Sequence, residues 1–282
     1  WMVLDYKLYT PGQKGDALPD NLLWVAEQIP GNVTSADVTQ TLRDTSYWAS
    51  YNIPYFPNIY NLSGFAELEQ EYGPVFSYTK YSRPEIFKRN NTDVVDLESM
   101  RRMMRYNNWQ EDPLSLIPLC PECNPRGSPW LAIASRGDLV GSNEILPSNN
   151  GYASQFARQS MGAIDSKIAS YAMMQNGGGM GNVINGPTTY DGQPIFIFDE
   201  AFPGQRPPGC ANVFNYSWVF FNVVGGGKPP IPAATTSDDP ASRNVILGVC
   251  IAVPIALVIA ALALAKHRKR MAAMDEYSPL TQ

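Results

Sequence analysis

From Val245 to Ala265 the chain reads VILGVCIAVPIALVIAALALA, a run without a single charged side chain. Coiled as an α-helix rising 1.5 Å per residue, such a run is about 30 Å long, the thickness of a bilayer's hydrocarbon core. A membrane-spanning helix is therefore expected over 245–265. Pro254 near its middle would break a helix in water, but a membrane helix tolerates it where neighbours satisfy the freed carbonyl. Directly afterwards comes KHRKR, residues 266–270, and the positive-inside rule keeps such a cluster in the cytoplasm. Everything before the run then lies outside the cell or in an organelle lumen.

That topology constrains partners and chemistry. Of the 21 Lys and Arg and 26 Asp and Glu, the part before the run keeps 17 and 24, a net charge of −7. An acidic ectodomain argues against nucleic acid as a partner. Four Asn-x-Ser/Thr acceptors, at Asn32, Asn61, Asn90 and Asn215, fit a glycosylated lumenal domain. In the tail MAAMDEYSPLTQ, Tyr277-Ser278-Pro279-Leu280 has the Tyr-x-x-bulky-hydrophobic form that clathrin adaptors read when sorting proteins to endosomes and lysosomes. The expected location is the lysosomal or endosomal membrane, crossed once. The first residue is Trp1 rather than Met, and the chain is read as the C-terminal part of a longer precursor.

The chain's one histidine, His267, falls on the cytoplasmic side. No Ser-His-Asp, Cys-His or histidine-metal arrangement can be assembled in the ectodomain from this sequence, so catalysis needs another base. Cys120 and Cys123 stand in CPEC within a proline-rich loop. A zinc site lacks ligands, a redox pair would open a helix after a strand, and a structural disulfide is the preferred reading. Cys250 fills the apolar run, and Cys210 has no assigned partner.

Four parts are expected: a lumenal domain over 1–224, a stalk rich in Gly, Pro, Ser and Thr over 225–244, the span over 245–265 and a tail over 266–282. In the domain, WMVLDYKLY alternates and LLWVAEQIPG stops at Pro30-Gly31, which predicts two adjacent antiparallel strands. TDVVDLESMRRMMRY predicts a helix with Val94, Leu97, Met100 and Met104 inward, Thr92 as N-cap and Glu98 paired with Arg102. Arg101, Arg102 and Arg105 fall on its other faces. A second helix is expected through residues 151–174. The glycine-rich stretch after it, QNGGGMGNVINGPTTYDGQ, is read as a flexible connection, because the strand and Lys-Ser/Thr of a phosphate cradle are missing. Arg136-Gly137-Asp138 is read as part of a packed strand rather than as an adhesion signal.

One stretch, YWASYNIPYF, gathers aromatic rings around a single amide, Asn52. SYWASYNIP, GFAELEQEYGPVFSYTKYSRPEIFKRN, VVDLESMRRMMRYNNWQEDPLS, CPECNP, AIASRGDL, GAIDSKIAS and NGPTTYDGQPIF follow one another. Over about residues 1–202 they closely resemble the C-terminal chain of the phospholipase B-like family, which includes lamina ancestor.

The resemblance implies an α+β fold, the αββα four-layer sandwich of N-terminal-nucleophile hydrolases, here partial and joined to one C-terminal transmembrane helix. It also implies a precursor that cuts itself before a cysteine, whose new α-amine, with a pKa near ~7.7 to 8, serves as the base without imidazole or cofactor. That cysteine would lie upstream of Trp1, so the upstream part of the precursor is an expected partner. By the same pattern Asn52 matches the asparagine whose NH₂ faces the developing oxyanion. Arg83 matches a pocket arginine whose charge favours a thiolate or an anionic substrate group. The implied reaction is release of fatty acyl groups from phospholipids. An amidase acting on N-acyl amides or peptides, and a catalytically silent membrane glycoprotein, stand as alternatives. Met161 replaces a histidine usual in the family, and the stalk, span and tail depart from its soluble members.

Overall fold

A computed structural model of the protein describes residues 1–118, 120–141, 156–175 and 179–222, and the backbone of 248–249. The stalk, most of the charge-free run and the tail with Tyr277 and Leu280 lie outside the described residues.

The chain opens with the expected pair of antiparallel strands, but the first is shorter than its alternation predicts: Tyr6 and Lys7 turn out of it, and Leu8 is exposed rather than inward. β1 (Met2–Leu4) lies antiparallel to β2 (Leu23–Ile29), with Val3 opposite Trp24. A third strand, β3 (Asn32–Asp37), follows the Pro30-Gly31 turn and pairs with β2 in full register, Ile29 to Asn32 and Trp24 to Asp37. Alternation gives the sheet a buried face with Leu23 and Val25, which packs with Tyr9, Leu42, Trp48 and Ile59. Each such fully buried aliphatic contributes roughly 1.5 to 3 kcal/mol.

Short helices come next. α1 (Thr39–Thr45) closes on Ser46 in the left-handed conformation, its N–H bonded to Leu42 O. α2 (Pro57–Leu62) starts with proline at its first position, where a missing N–H costs nothing. α3 (Phe65–Tyr72), α4 (Ser82–Asn90) and α5 (Leu97–Arg105) complete the helical half. α5 buries Met100 and Met104, as the periodicity predicts, and Met103 besides; Leu97 is half-buried, and Val94, also half-buried, precedes the helix. Its cap is Asp96 rather than Thr92: the carboxylate accepts from Ser99 N while the Ser99 hydroxyl accepts from Asp96 N, a reciprocal capping box. Glu98 pairs with Arg101 at 3.1 Å and with Arg102 at 3.9 Å.

The second half forms a sheet in the order β8-β5-β4-β9. Its strands are β4 (Asp165–Ile168), β5 (Met180–Asn185), β8 (Val219–Asn222) and β9 (Gly248–Val249). β6 (Phe196–Ile197) and β7 (Val213–Phe214) make a separate ribbon. Between them come α6 (Tyr171–Gln175) and α7 (Phe198–Ala201).

Two expectations are corrected here. Residues 165–168 of the expected helix through 151–174 are strand, and only Tyr171–Gln175 is helical. Part of the glycine-rich connection is the central strand β5. A Cβ on its Gly181 would sit 2.8 Å from the Phe221 ring and 3.0 Å from Ile168 O, so glycine is there to let neighbouring strands close over it.

The Arg136-Gly137-Asp138 segment is buried but forms a short 3₁₀ turn rather than a strand, with a single bridge from Arg136 to Gly162. Arg136 is ion-paired to Asp138 and donates to Thr188 O at 2.7 Å, which withdraws the tripeptide from any surface partner. Gly248 and Val249, inside the charge-free run, pair antiparallel with Ile168 and Lys167. Among the described residues no helix is long and apolar enough to cross a membrane.

Candidate active site

Ser46 ends α1 and turns the chain into an irregular segment, 47–56, in which burial alternates with a period of two over 49–54. Ala49, Tyr51 and Ile53 are buried, whereas Ser50 is exposed and Asn52 and Pro54 are half-buried. Ser50, Asn52 and Pro54 thereby reach a cleft of about 800 Å³, walled also by Trp1, Glu27 and Phe65. Its size is within the range of small-molecule sites.

Asn52 adopts φ 64°, the left-handed region, which asparagine enters more readily than other side chains because its short amide can hydrogen-bond locally. Its Oδ1 accepts a 2.8 Å hydrogen bond from Arg83 Nη1. The guanidinium takes the oxygen end of the amide, which leaves the NH₂ as the end turned away from Arg83.

Arg83, near the start of α4, is only 2% exposed. Its Nε donates to Ala132 O at 3.0 Å and its face lies over the Tyr81 ring. Among the described residues no carboxylate pairs with it. Carbonyl dipoles and the Asn52 amide therefore hold the cation, at the desolvation cost that any buried charge carries. Arg83 is not part of the cleft wall. It stands behind Asn52 and reaches the cleft through that side chain.

Glu27 is the residue that reading the sequence missed. Its carboxylate accepts from Tyr55 N at 2.7 Å and from Phe56 N at 2.9 Å, which ties β2 to the end of the Asn52 segment. The signal was present: strand alternation puts Glu27 on the inward face shared by Leu23 and Val25, where a carboxylate has to find donors.

A second polar cluster lies away from the cleft. Asp112 accepts from Arg89 Nη1 at 2.7 Å, Arg89 Nη2 at 2.8 Å and the Tyr106 hydroxyl at 2.7 Å. Burial alone would raise its pKa, but the bonds from Arg89, Tyr106 and Leu114 N–H outweigh burial and hold the carboxyl below the usual range. Arg105 departs further from expectation. Rather than facing solvent it is 1% exposed, donates from Nη2 to Gly186 O at 2.8 Å, and meets no acceptor at Nε or Nη1 among the described residues. Burial pushes its pKa down to about 10.

Cys120 and Cys123 form a buried disulfide, as expected, and Cys210 has no disulfide partner among the described residues. Asn32, Asn61 and Asn215 are exposed; Asn90 is half-buried and accepts from Arg89 Nε at 2.7 Å.

The phospholipase B family profile matches residues 1–221. The chain belongs to the phospholipase B family. It is 40% identical over 226 residues to phospholipase B-like protein G of Dictyostelium discoideum, a match covering 77% of this chain and 34% of that protein. It is 44% identical over 174 residues to mouse "Putative phospholipase B-like 2", covering 61% of this chain and 27% of that one. Phospholipase B-like protein E of Dictyostelium discoideum is 33% identical over 225 residues, 79% and 37% of the two chains. The chain thus spans about a third of the length of these relatives. Its Asn52, Arg83, Glu27 and cleft all fall inside the matched region.

Proposed function

We propose that the chain is the C-terminal part of a phospholipase B-like hydrolase that releases fatty acyl groups from phospholipids, with a cysteine nucleophile on the upstream part of the same precursor. The observation that carries this reading is the Asn52 amide, held in the left-handed conformation with its oxygen taken by Arg83, in the wall of a cleft that Trp1 also lines. Residues preceding Trp1 would enter at that cleft, beside Asn52.

In such a site the α-amine of the new N-terminal cysteine accepts the thiol proton, the thiolate attacks the acyl carbonyl, and charge develops on the carbonyl oxygen. An NH₂ positioned beforehand stabilises that oxyanion without reorganising, a contribution of about 3 to 4 kcal/mol. Arg83 sets which end of the amide is presented. Family membership extends the reading to an N-terminal-nucleophile αββα sandwich, of which the two larger antiparallel sheets would be parts.

The amide alternative shares the same tetrahedral oxyanion. Incubating the processed precursor with phosphatidylcholine and with N-acyl amides separates the two: release of fatty acid from the phospholipid supports the ester reading, and cleavage of the amides alone replaces it. No turnover of either, with a cysteine present at the processing junction, refutes both.

The same proposal places the protein in the lysosomal or endosomal membrane. The span over 245–265 would hold it there, Tyr277 and Leu280 would be read by clathrin adaptors, and glycans would occupy Asn32, Asn61, Asn90 and Asn215. Glycosidase treatment that leaves the electrophoretic mobility unchanged would exclude the lumenal placement.

A further inference from the structure

Residues 49–56 belong to no helix or strand, so whatever fixes the Asn52 amide has to reach this stretch from other parts of the fold. Tyr78, Arg83 and Glu27 do so. At one end the Tyr78 hydroxyl donates to Ala49 O at 2.7 Å. In the middle Arg83 takes the Asn52 oxygen. At the other end Glu27 divides its carboxylate, Oε1 accepting from Tyr55 N at 2.7 Å and Oε2 from Phe56 N at 2.9 Å. The Tyr78 ring also lies against rings on both sides of Asn52, with centroids 5.1 Å from Tyr51 and 5.3 Å from Tyr55. The stretch is wrapped on one ring and closed by one carboxylate.

The link from the Glu27 end to Asn52 is short and stiff. Only Ile53 and Pro54 intervene. A proline ring fixes its own φ and restricts the residue before it to extended backbone, and Ile53 is packed in the core at 5% exposure. A shift at Tyr55 therefore meets little slack before it reaches Asn52. Asn52 itself stands at φ 64°, a conformation that persists where the surroundings hold it. At the other end burial raises the Tyr78 pKa above the ordinary phenol range, with Tyr55 and Glu27 adding to the effect, so the hydroxyl keeps the proton it donates.

We propose that Glu27 is a positioning residue for the reaction: by holding the Tyr55 and Phe56 N–H groups it fixes where the Asn52 NH₂ points, and Tyr78 closes the other end of the stretch. The proposal rests on the hydrolase reading, in which that NH₂ meets the oxyanion. It also accounts for an inward carboxylate beside Leu23 and Val25 on β2, because two N–H groups of an irregular stretch need an acceptor and Glu27 has one charged oxygen for each.

Glu27→Gln tests it, since the amide has the size of the carboxylate but only one oxygen, and its NH₂ meets the second N–H. Displacing a catalytic group by about an ångström costs on the order of 10²-fold, so kcat of the processed precursor should fall by about 10- to 100-fold. KM should stay within about twofold, as for an interaction made only in the transition state. In the Asn52→Ala background the same substitution should change kcat by less than about twofold, because no NH₂ is left to misplace. Hydrogen exchange of the full chain reads the hold without turnover: peptides spanning 49–56 should exchange faster in Glu27→Gln, while peptides from α5 keep the wild-type rate. Tyr78→Phe, which removes one hydroxyl and keeps the ring, should lower kcat in the same Asn52-dependent way, and it decides the matter if Glu27→Gln does not fold. Wild-type kcat in these variants, an equal loss in the Asn52→Ala background, or unchanged exchange over 49–56 overturns the proposal. A wild type that turns over neither phospholipid nor amide refutes the hydrolase reading itself, whereas an active wild type matched by Glu27→Gln refutes the positioning role alone.

Discussion

Replacing Asn52 in two ways separates its part in the fold from its part in the chemistry. Asn52→Ala removes the NH₂ that the oxyanion needs, and a lost donor of this sort costs about 10² to 10³ in turnover. It also removes the acceptor of a 2.8 Å bond from an arginine only 2% exposed. Leaving that guanidinium nitrogen unpaired costs about 1 to 3 kcal/mol. Alanine at a φ of 64° adds about 1 to 2 kcal/mol of backbone strain. The variant should therefore be some 2 to 5 kcal/mol less stable as well as nearly inactive. Asn52→Asp differs on one count. Aspartate tolerates the left-handed conformation and gives Arg83 a charged acceptor, so stability is kept, while a carboxylate facing an oxyanion abolishes turnover. The assay is urea unfolding of each variant beside acyl release by the processed precursor. The reasoning fails if Asn52→Asp retains wild-type turnover, or if Asn52→Ala unfolds at the wild-type urea midpoint.

Further outcomes follow from the buried polar groups, the disulfide and the charge-free run. The Asp112 pKa is lowered in the folded state, so its stabilisation is complete above the unfolded value near 3.8 and is lost as pH falls through the folded one; the urea midpoints of wild type and Asp112→Asn should differ at pH 7 and draw together only as the pH is lowered below 3.8. Arg105→Met removes a buried cation with two donors that lack acceptors here, so its urea midpoint should equal or exceed that of the wild type; a loss above about 2 kcal/mol would show that those donors are satisfied in solution. The Cys120–Cys123 bridge closes a very short loop, so replacing both with serine should cost no more than about 2 kcal/mol, measured by urea unfolding. A span over 245–265 and the pairing of Gly248–Val249 with β4 exclude each other: retention in the membrane pellet after alkaline extraction supports the span, and release supports the pairing.

The sequence was legible where one physical signal dominated. Strand alternation placed β1 and β2 side by side, and the methionine periodicity of α5 announced its buried face. It misled where tertiary packing overrode local preference. The helix expected through 151–174 crosses Asp165, Ser166 and Ile168, none of them a strong helix former, and residues 165–168 pair with β5 instead, where a neighbouring strand is there to receive them. Gly181 reads as flexibility in isolation and as close packing once Phe221 lies over it. Thr92 looked like a cap, but Asp96 with Ser99 offers a reciprocal pair. Arg105 looked solvated because helical periodicity shows which face an arginine takes, and not that a distant carbonyl, Gly186 O, will lie over it. For the site, Asn52 and Arg83 came from family resemblance, and only the structure showed that they touch. Glu27 needed no resemblance at all, since an inward-facing carboxylate in an apolar strand is itself a signal.

The most direct test is the intact mass of the processed precursor during turnover of a short-chain phosphatidylcholine. The account predicts a transient thioester adduct of one acyl chain on a cleavage-generated N-terminal cysteine, labile to hydroxylamine and accumulating far more slowly in Asn52→Ala. Fatty acid released with no adduct on that cysteine in a rapid-quench time course, or equal accumulation in the Asn52→Ala variant, would contradict it.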